Sequence, residues 1–128
     1  MDDGTTGWDP FDGPIFADKK LRALQRVGVV DVGSNSVRLV IFDGAARSPA
    51  YFFNEKIMCA LGAGIAETGK LNPEGRERAL RAMKRFKTIA ESAGISELTA
   101  VATAAVRDAS DGADFVQDVF HETGVRIF

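Results

Sequence analysis

The chain is short of most residues that announce a chemistry. It has one cysteine, Cys59, and one histidine, His121, in 128 residues. A single cysteine excludes an internal disulfide and leaves no thiol cluster for a metal. Cys59 reads as a small buried hydrophobe rather than a reactive thiol. His121 falls near the end of a helix, where a cation suits the dipole, and no Ser-His-Asp spacing accompanies it. No apolar run approaches the roughly 20 residues that a membrane span needs. The start, Met1-Asp2-Asp3-Gly4, is acidic where a secretory signal would be basic. An excess of one charge is missing too. Sixteen Lys and Arg against 18 Asp and Glu leave a formal net charge of −2, which argues against general affinity for DNA or an anionic membrane. The cytoplasm is the expected compartment. Gly62-Ala63-Gly64 is not a Walker loop, because no Gly-Lys-Ser/Thr follows it.

What is present is an ordinary globular composition, 45% hydrophobic and 27% charged, enough for one domain or one lobe of something larger. Residues 1–25 read as a flexible leader rich in Gly, Asp, Pro and Thr, with Trp8, Phe11 and Phe16 between them and a short basic helix over Ala17–Gln25. From Val27 a β-branched run predicts a strand through Asp31, a turn over 33–35, a return strand over Val37–Phe42 and a third strand over Ala50–Ile57. Asn72-Pro73-Glu74 is a helix start, with an Asn cap, Pro at the first position and an acid against the dipole. Leu80, Met83, Phe86, Ile89, Ala90 and Ala93 then make one apolar stripe, and Gly94 supplies the stop. Arg76, Arg78, Arg81, Lys84, Arg85 and Lys87 read mostly as the solvated face. A fourth strand over Leu98–Ala102 and a helix over 112–122, burying Phe115, Val116, Val119 and Phe120, lead to a fifth strand opening at Val125. The order is βββαβαβ, with a parallel portion made by right-handed crossovers.

Two constellations carry chemistry. In the first, Asp31 closes a buried strand, where a carboxylate is costly unless it is used or exposed. It either holds a metal ion or orients a water, or it caps the turn. The Gly33-Ser34-Asn35-Ser36 that follows favours function: Gly33 lets backbone approach a ligand, consecutive N–H groups make an anion-binding concavity, and the two hydroxyls and the amide add neutral donors. Arg38, on the same strand face as Ser36, either reaches a phosphate or pairs with a surface acid. In the second constellation, Thr103 and Arg107 follow the C-terminal end of a strand, where ligands sit in open α/β sheets. Arg107 offers a planar donor fork to phosphate oxygens, or pairs with Asp108 or Asp111.

Together these residues resemble a known family. Asp31-Val-Gly-Ser-Asn-Ser-Val-Arg-Leu-Val resembles the first phosphate motif of the Ppx/GppA phosphatases, exopolyphosphatase and guanosine pentaphosphate phosphohydrolase. The likeness continues through Leu61-Gly62, Thr68-Gly69-Lys70-Leu71 and the long helix. It resumes in Ala100-Val-Ala-Thr-Ala-Ala-Val-Arg-Asp-Ala109, Gly112, Phe115 and Thr123-Gly124-Val125. Over 26–128 the resemblance implies the first RNase H-like lobe of an actin-like two-lobed enzyme, an α/β fold with five strands in the order 3-2-1-4-5. It implies hydrolysis of terminal phosphoanhydride bonds of polyphosphate or pppGpp with Mg2+ or another divalent cation, polyphosphate or pppGpp/ppGpp as partner, and a homo-oligomeric, dimeric parent. By position, Asp31 would serve the metal or water, Gly33, Ser34, Asn35 and Ser36 would form the phosphate loop, and Arg107 would contact phosphate, helped by Thr103 and Arg38. The family's general base is a glutamate in a Ser-Gly-x-Glu-Glu-Ala stretch after the fifth strand, and a second motif, Asp-x-Gly-Gly-Gly-Ser, opens its second lobe; neither occurs among these residues, so this piece alone is expected to be inactive or nearly so. Two other readings remain: a non-catalytic module binding polyphosphate or (p)ppGpp, and a lobe of another actin-like phosphotransferase such as a sugar or acetate kinase.

Overall fold

A computed structural model describes residues 26–43, 50–95 and 98–128. The leader and the helix expected at 17–25 lie outside these residues. Strands β1 (Arg26–Val32), β2 (Ser36–Asp43) and β3 (Ala50–Met58) form an antiparallel meander. A one-turn helix α1 (Ile65–Thr68) and the long α2 (Pro73–Ser92) lead to β4 (Leu98–Ala102), which pairs parallel with β1. A short α3 (Ala104–Asp108) and α4 (Gly112–Thr123) complete the regular elements.

The start of α2 follows its sequence signal. The Asn72 side chain accepts the Gly75 N–H at 2.8 Å, and Pro73 occupies the first turn. Along the strands burial alternates with period two. Val30, Val32, Val37, Leu39 and Ile41 are buried with Ala79, Ala82, Met83, Phe86 and Ala90 of α2 and with Phe115 and Val119 of α4 in one apolar cluster. Burying the Val, Leu, Ile, Met and Phe side chains among them contributes about 1.5–3 kcal/mol each. The helices therefore cover one face of the sheet. Among the described residues nothing covers the opposite face, where Val27 is 47%, Met58 60% and Val101 38% exposed.

Several expectations are corrected. The described sheet has four strands in the order β3-β2-β1-β4, not five. Where a fifth was expected, one parallel bridge forms, Ala100 to Ile127, with Phe128 N–H donating to the Ala100 carbonyl at 2.8 Å and Ala102 N–H to that of Phe128 at 2.7 Å. One bridge falls short of the successive pairs that make a ladder. Phe120, expected inside, is 44% exposed and lies under the Arg126 guanidinium, 4.9 Å from its ring centre. The basic face of α2 is also more than solvated charge. Arg78 donates to the Cys59 carbonyl at 2.7 Å, and Arg76 reaches Asp111 (3.4 Å), Asp114 (2.9 Å) and Asp118 (2.6 Å), tying α2 to α4. Burial acts to lower the Arg76 pKa, but the hydrogen bonds it donates to Asp114 and Asp118, with the attraction of their charges, outweigh burial and raise the value. Cys59 is buried as expected, and desolvation pushes its thiol pKa up. No helix among the described residues is long and apolar enough to cross a membrane.

Candidate functional site

The hairpin tip is built from its backbone upward. The register pairs Val32 with Val37, and Gly33 N–H donates to the Ser36 carbonyl at 2.9 Å, leaving Ser34-Asn35 as a two-residue loop. The carbonyl groups of that loop are fully engaged. Ser34 O accepts Gly62 N–H at 2.8 Å, and Asn35 O accepts both Cys59 N–H (2.8 Å) and Ala60 N–H (2.9 Å). Its N–H groups are not: Ser34 and Asn35 donate their amides to no group among the described residues. A loop with its acceptors tied down and its donors free is a ready anion concavity. Ala60 is held at φ 55°, the left-handed region that costs an L residue about 1–2 kcal/mol. Its N–H bond to Asn35 is one contact that keeps it there. Gly62 approaches so closely that a Cβ would stand 2.8 Å from Ser34 Cβ.

Asp31 is exposed on the open sheet face, directly between Arg38 of β2 and Val101 of β4. Its carboxylate accepts no hydrogen bond among the described residues, so it does not cap the turn. Arg38 does not pair with an acid among the described residues. Its Nη1 donates to Asn54 Oδ1 at 2.9 Å, the diagonal neighbour on β3. Thr103 N–H donates to the Val32 carbonyl at 3.0 Å, which ties the end of β4 to the end of β1. Thr103 stands at the N-cap of α3 without using its hydroxyl to cap.

Arg107, one turn further, is exposed and forms no ion pair among the described residues. Pairing with Asp111 is overturned because that carboxylate is committed elsewhere: it accepts Leu71 N–H at 2.9 Å and faces Arg76. Asp108 does not pair with it either. Gly112 seats α4 directly on the turn carrying Arg107, since a Cβ there would meet the Arg107 carbonyl oxygen at 2.7 Å.

Asp31, Gly33 and Thr103 come together around one shallow depression of about 160 Å³, lined also by Val32, Val101 and Ala102. Ser34, Asn35, Ser36, Arg38 and Arg107 lie outside its lining. A larger depression, about 400 Å³, opens at the other end of β4 among Lys87, Leu98, Phe120, Arg126 and Phe128. No Asp or Glu is among its described lining residues, and it lies away from the strand ends where ligands of open α/β sheets sit. The 59–62 segment was not singled out from sequence as support for the tip, although Leu61-Gly62 is part of the family likeness; its contribution is made by backbone N–H groups, which no residue type announces.

A mixed four-stranded sheet with helices on one face, and a polar loop where β1 and β4 end side by side, defines the class as an α/β lobe. The profile of the Ppx/GppA phosphatase family matches residues 40–128. Exopolyphosphatase 1 of Mycobacterium tuberculosis is 37% identical over 103 residues, which is 80% of this chain and 30% of that protein. Among solved structures, the Aquifex aeolicus Ppx/GppA phosphatase superposes with a TM-score of 0.76 at 29% identity, covering 80% of this chain and 34% of that one. An exopolyphosphatase from Cytophaga hutchinsonii superposes with a TM-score of 0.75 at 32% identity, covering 80% and 33%. The chain belongs to the Ppx/GppA phosphatase family. It spans about a third of the length of the relatives it matches.

Proposed function

We propose that this chain supplies one wall of the cleft of a phosphohydrolase that removes terminal phosphoryl groups from polyphosphate or pppGpp. One observation carries the reading: Asp31, a carboxylate with no partner among the described residues, shares a depression with Gly33 and Thr103, beside a loop whose amides at Ser34 and Asn35 donate to none of those residues. Packing has no use for that combination. A phosphate with a bound cation has use for all of it.

In this reading the amides and hydroxyls of residues 33–36 hold the terminal phosphoryl oxygens, and Arg107 adds a two-pronged donor that neutralises charge as the bond to the bridging oxygen lengthens. Thr103 contributes a hydroxyl from the adjoining end of β4. Asp31 orients the attacking water or anchors the cation. No group of three or more metal-binding side chains occurs among the described residues. That donor set suits Mg2+, which is commonly held by one or two carboxylates together with substrate phosphates rather than by a closed protein cage. When bound, the ion would supply charge neutralisation at the phosphoryl oxygens. In this reading the general base belongs to a Ser-Gly-x-Glu-Glu-Ala stretch that these residues do not contain, so the chain by itself turns phosphate over little, and as half a cleft it binds phosphate weakly.

The test is a titration of the chain with pyrophosphate and Mg2+, followed by backbone amide NMR. Shifts centred on Gly33–Ser36, Thr103 and Arg107 are expected. Shifts confined to the Leu98–Phe120 depression would overturn the assignment. Phosphate release from polyphosphate at the rate of a full-length relative would refute the role given to the absent glutamate. Tight metal-dependent binding without turnover would point instead to a non-catalytic binding module.

A further inference from the structure

We propose that Arg78 of α2 is a positioning residue for the phosphate loop, acting through the Cys59–Ala60 peptide rather than on the anion itself. This rests on the phosphohydrolase reading above and adds to it a residue outside the depression. Arg78 donates to the Cys59 carbonyl from both Nε (3.2 Å) and Nη2 (2.7 Å). That oxygen and the Ala60 N–H are the two ends of one planar trans peptide unit, so they point in opposite directions. The Ala60 N–H donates to the Asn35 carbonyl at 2.9 Å. A cation on α2 therefore fixes the tilt of the peptide that grips the hairpin tip. The Asn35 carbonyl belongs in turn to the peptide whose N–H is that of Ser36, one of the loop amides assigned to the phosphoryl oxygens.

Support is needed at this point of the chain. Ala60 has φ 55°, and a residue in that region persists only where its surroundings over-determine it. The start of α2 supplies those surroundings. A Cβ on Gly75 would stand 2.7 Å from both the Cys59 and the Ala60 carbonyl oxygens, so the first turn of the helix lies directly on this segment. The Leu61–Gly62 peptide is held in the same manner. Asn72 N–H donates to the Leu61 carbonyl at 2.9 Å, and Gly62 N–H donates to that of Ser34 at 2.8 Å. Arg78 adds what these neutral contacts lack, a full charge. Its guanidinium makes a charge-assisted bond and polarises the peptide, which strengthens the bond made by the N–H on the far side. Arg78 is half-buried and meets no carboxylate among the described residues, so that charge is not cancelled.

The test titrates pyrophosphate with Mg2+ present, followed by NMR, in the unaltered chain and in Arg78→Met, Arg78→Lys and Arg85→Gln. Arg78→Met is expected to weaken pyrophosphate binding about two- to tenfold, the size of one ordinary hydrogen bond, and to move the Asn35 and Ser36 amide signals of the free chain. Arg78→Lys keeps a charged donor and should recover most of the loss. Arg85→Gln removes an ion pair of the same helix away from the tip. It should lower stability without changing binding by the folded chain. Coupling is reciprocal, so in the unaltered chain the Arg78 Nε–H signal should follow pyrophosphate along the same isotherm as the Asn35 amide; this arm needs no variant to fold. An Arg78 that serves stability alone would lower the urea midpoint and leave both the affinity and the Nε–H shift unmoved, which would overturn the proposal. So would a loss in Arg78→Met that Arg85→Gln equals or that Arg78→Lys does not reduce. If pyrophosphate shifts none of residues 33–36 in the unaltered chain, the phosphohydrolase reading itself falls.

Discussion

Gly62 sits where the 59–62 loop crosses the hairpin tip, and its replacement by alanine isolates the coupling between packing and the phosphate loop. A methyl group there would meet Ser34 Cβ at 2.8 Å, Oγ at 3.2 Å and Cα at 3.4 Å. The first distance is too short to exist, and the atom that must yield belongs to a short side chain fixed on a tight turn. Such overpacking costs about 1–3 kcal/mol. Gly62 is not among the glycines with positive φ, so alanine adds no backbone strain. Restricting the unfolded chain returns about 0.4–1 kcal/mol. The net expectation is a loss of about 1–2 kcal/mol, together with a stretched Gly62 N–H to Ser34 O bond. Urea denaturation should show a lower midpoint with an unchanged m value. Amide shifts should concentrate at 33–36 and 59–62, and pyrophosphate affinity should fall as the tip moves. A Gly62→Ala chain as stable as the parent, with Ser34 unmoved, would refute the close approach from which the loop's shape is argued.

Other consequences can be checked separately. Asp31→Asn should leave the urea midpoint within about 0.5 kcal/mol, because the side chain is exposed and unpartnered. It should abolish the Mg2+-dependent part of pyrophosphate binding, as seen by NMR titration. Phe86→Ala removes a fully buried ring from the cluster under the sheet and should cost about 3–5 kcal/mol, read as loss of the cooperative urea transition. The Glu55 carboxyl is held below its ordinary range, chiefly by the Arg85 hydrogen bonds and despite partial desolvation. A depressed folded pKa stabilises above the unfolded value and is lost as pH falls through the folded one. The difference in urea midpoint between the parent and Arg85→Gln should therefore be full near neutrality and close on acidification. A gap that persists in strong acid would show that the pair acts by packing alone.

Much of this architecture can be read from local patterns. The β-branched runs and the turn residues between them located β1, β2 and β3, and the Asn72-Pro73 start with Gly94 as stop bounded α2 to within a residue or two. The turns at α1 and α3 were not separated out, because four or five residues are too few to display a helical period. The exposure of Phe120 also escaped. Phe120 stands 44% exposed beneath the Arg126 guanidinium, and hydrophobicity alone does not say which apolar side chains near a helix end the core covers. The fifth strand depended on pairing across β4, where only Ile127 makes a bridge.

For the site, the residue types and their order in the chain already pointed to phosphate: an acid at a strand end, a Gly-Ser-Asn-Ser turn, and a Thr-to-Arg segment after another strand. These are local properties, written in neighbouring residues. Which of the open pairings was real was decided by tertiary structure. Parallel pairing of β1 with β4 brings Thr103 beside Asp31, some 70 residues earlier in the chain. Arg76 and Leu71 N–H occupy Asp111 and so leave Arg107 without it. Asn54 takes Arg38 and leaves Asp31 unpaired. Each is a competition among partners distant in sequence, and only the folded arrangement of backbone and charge determines its outcome.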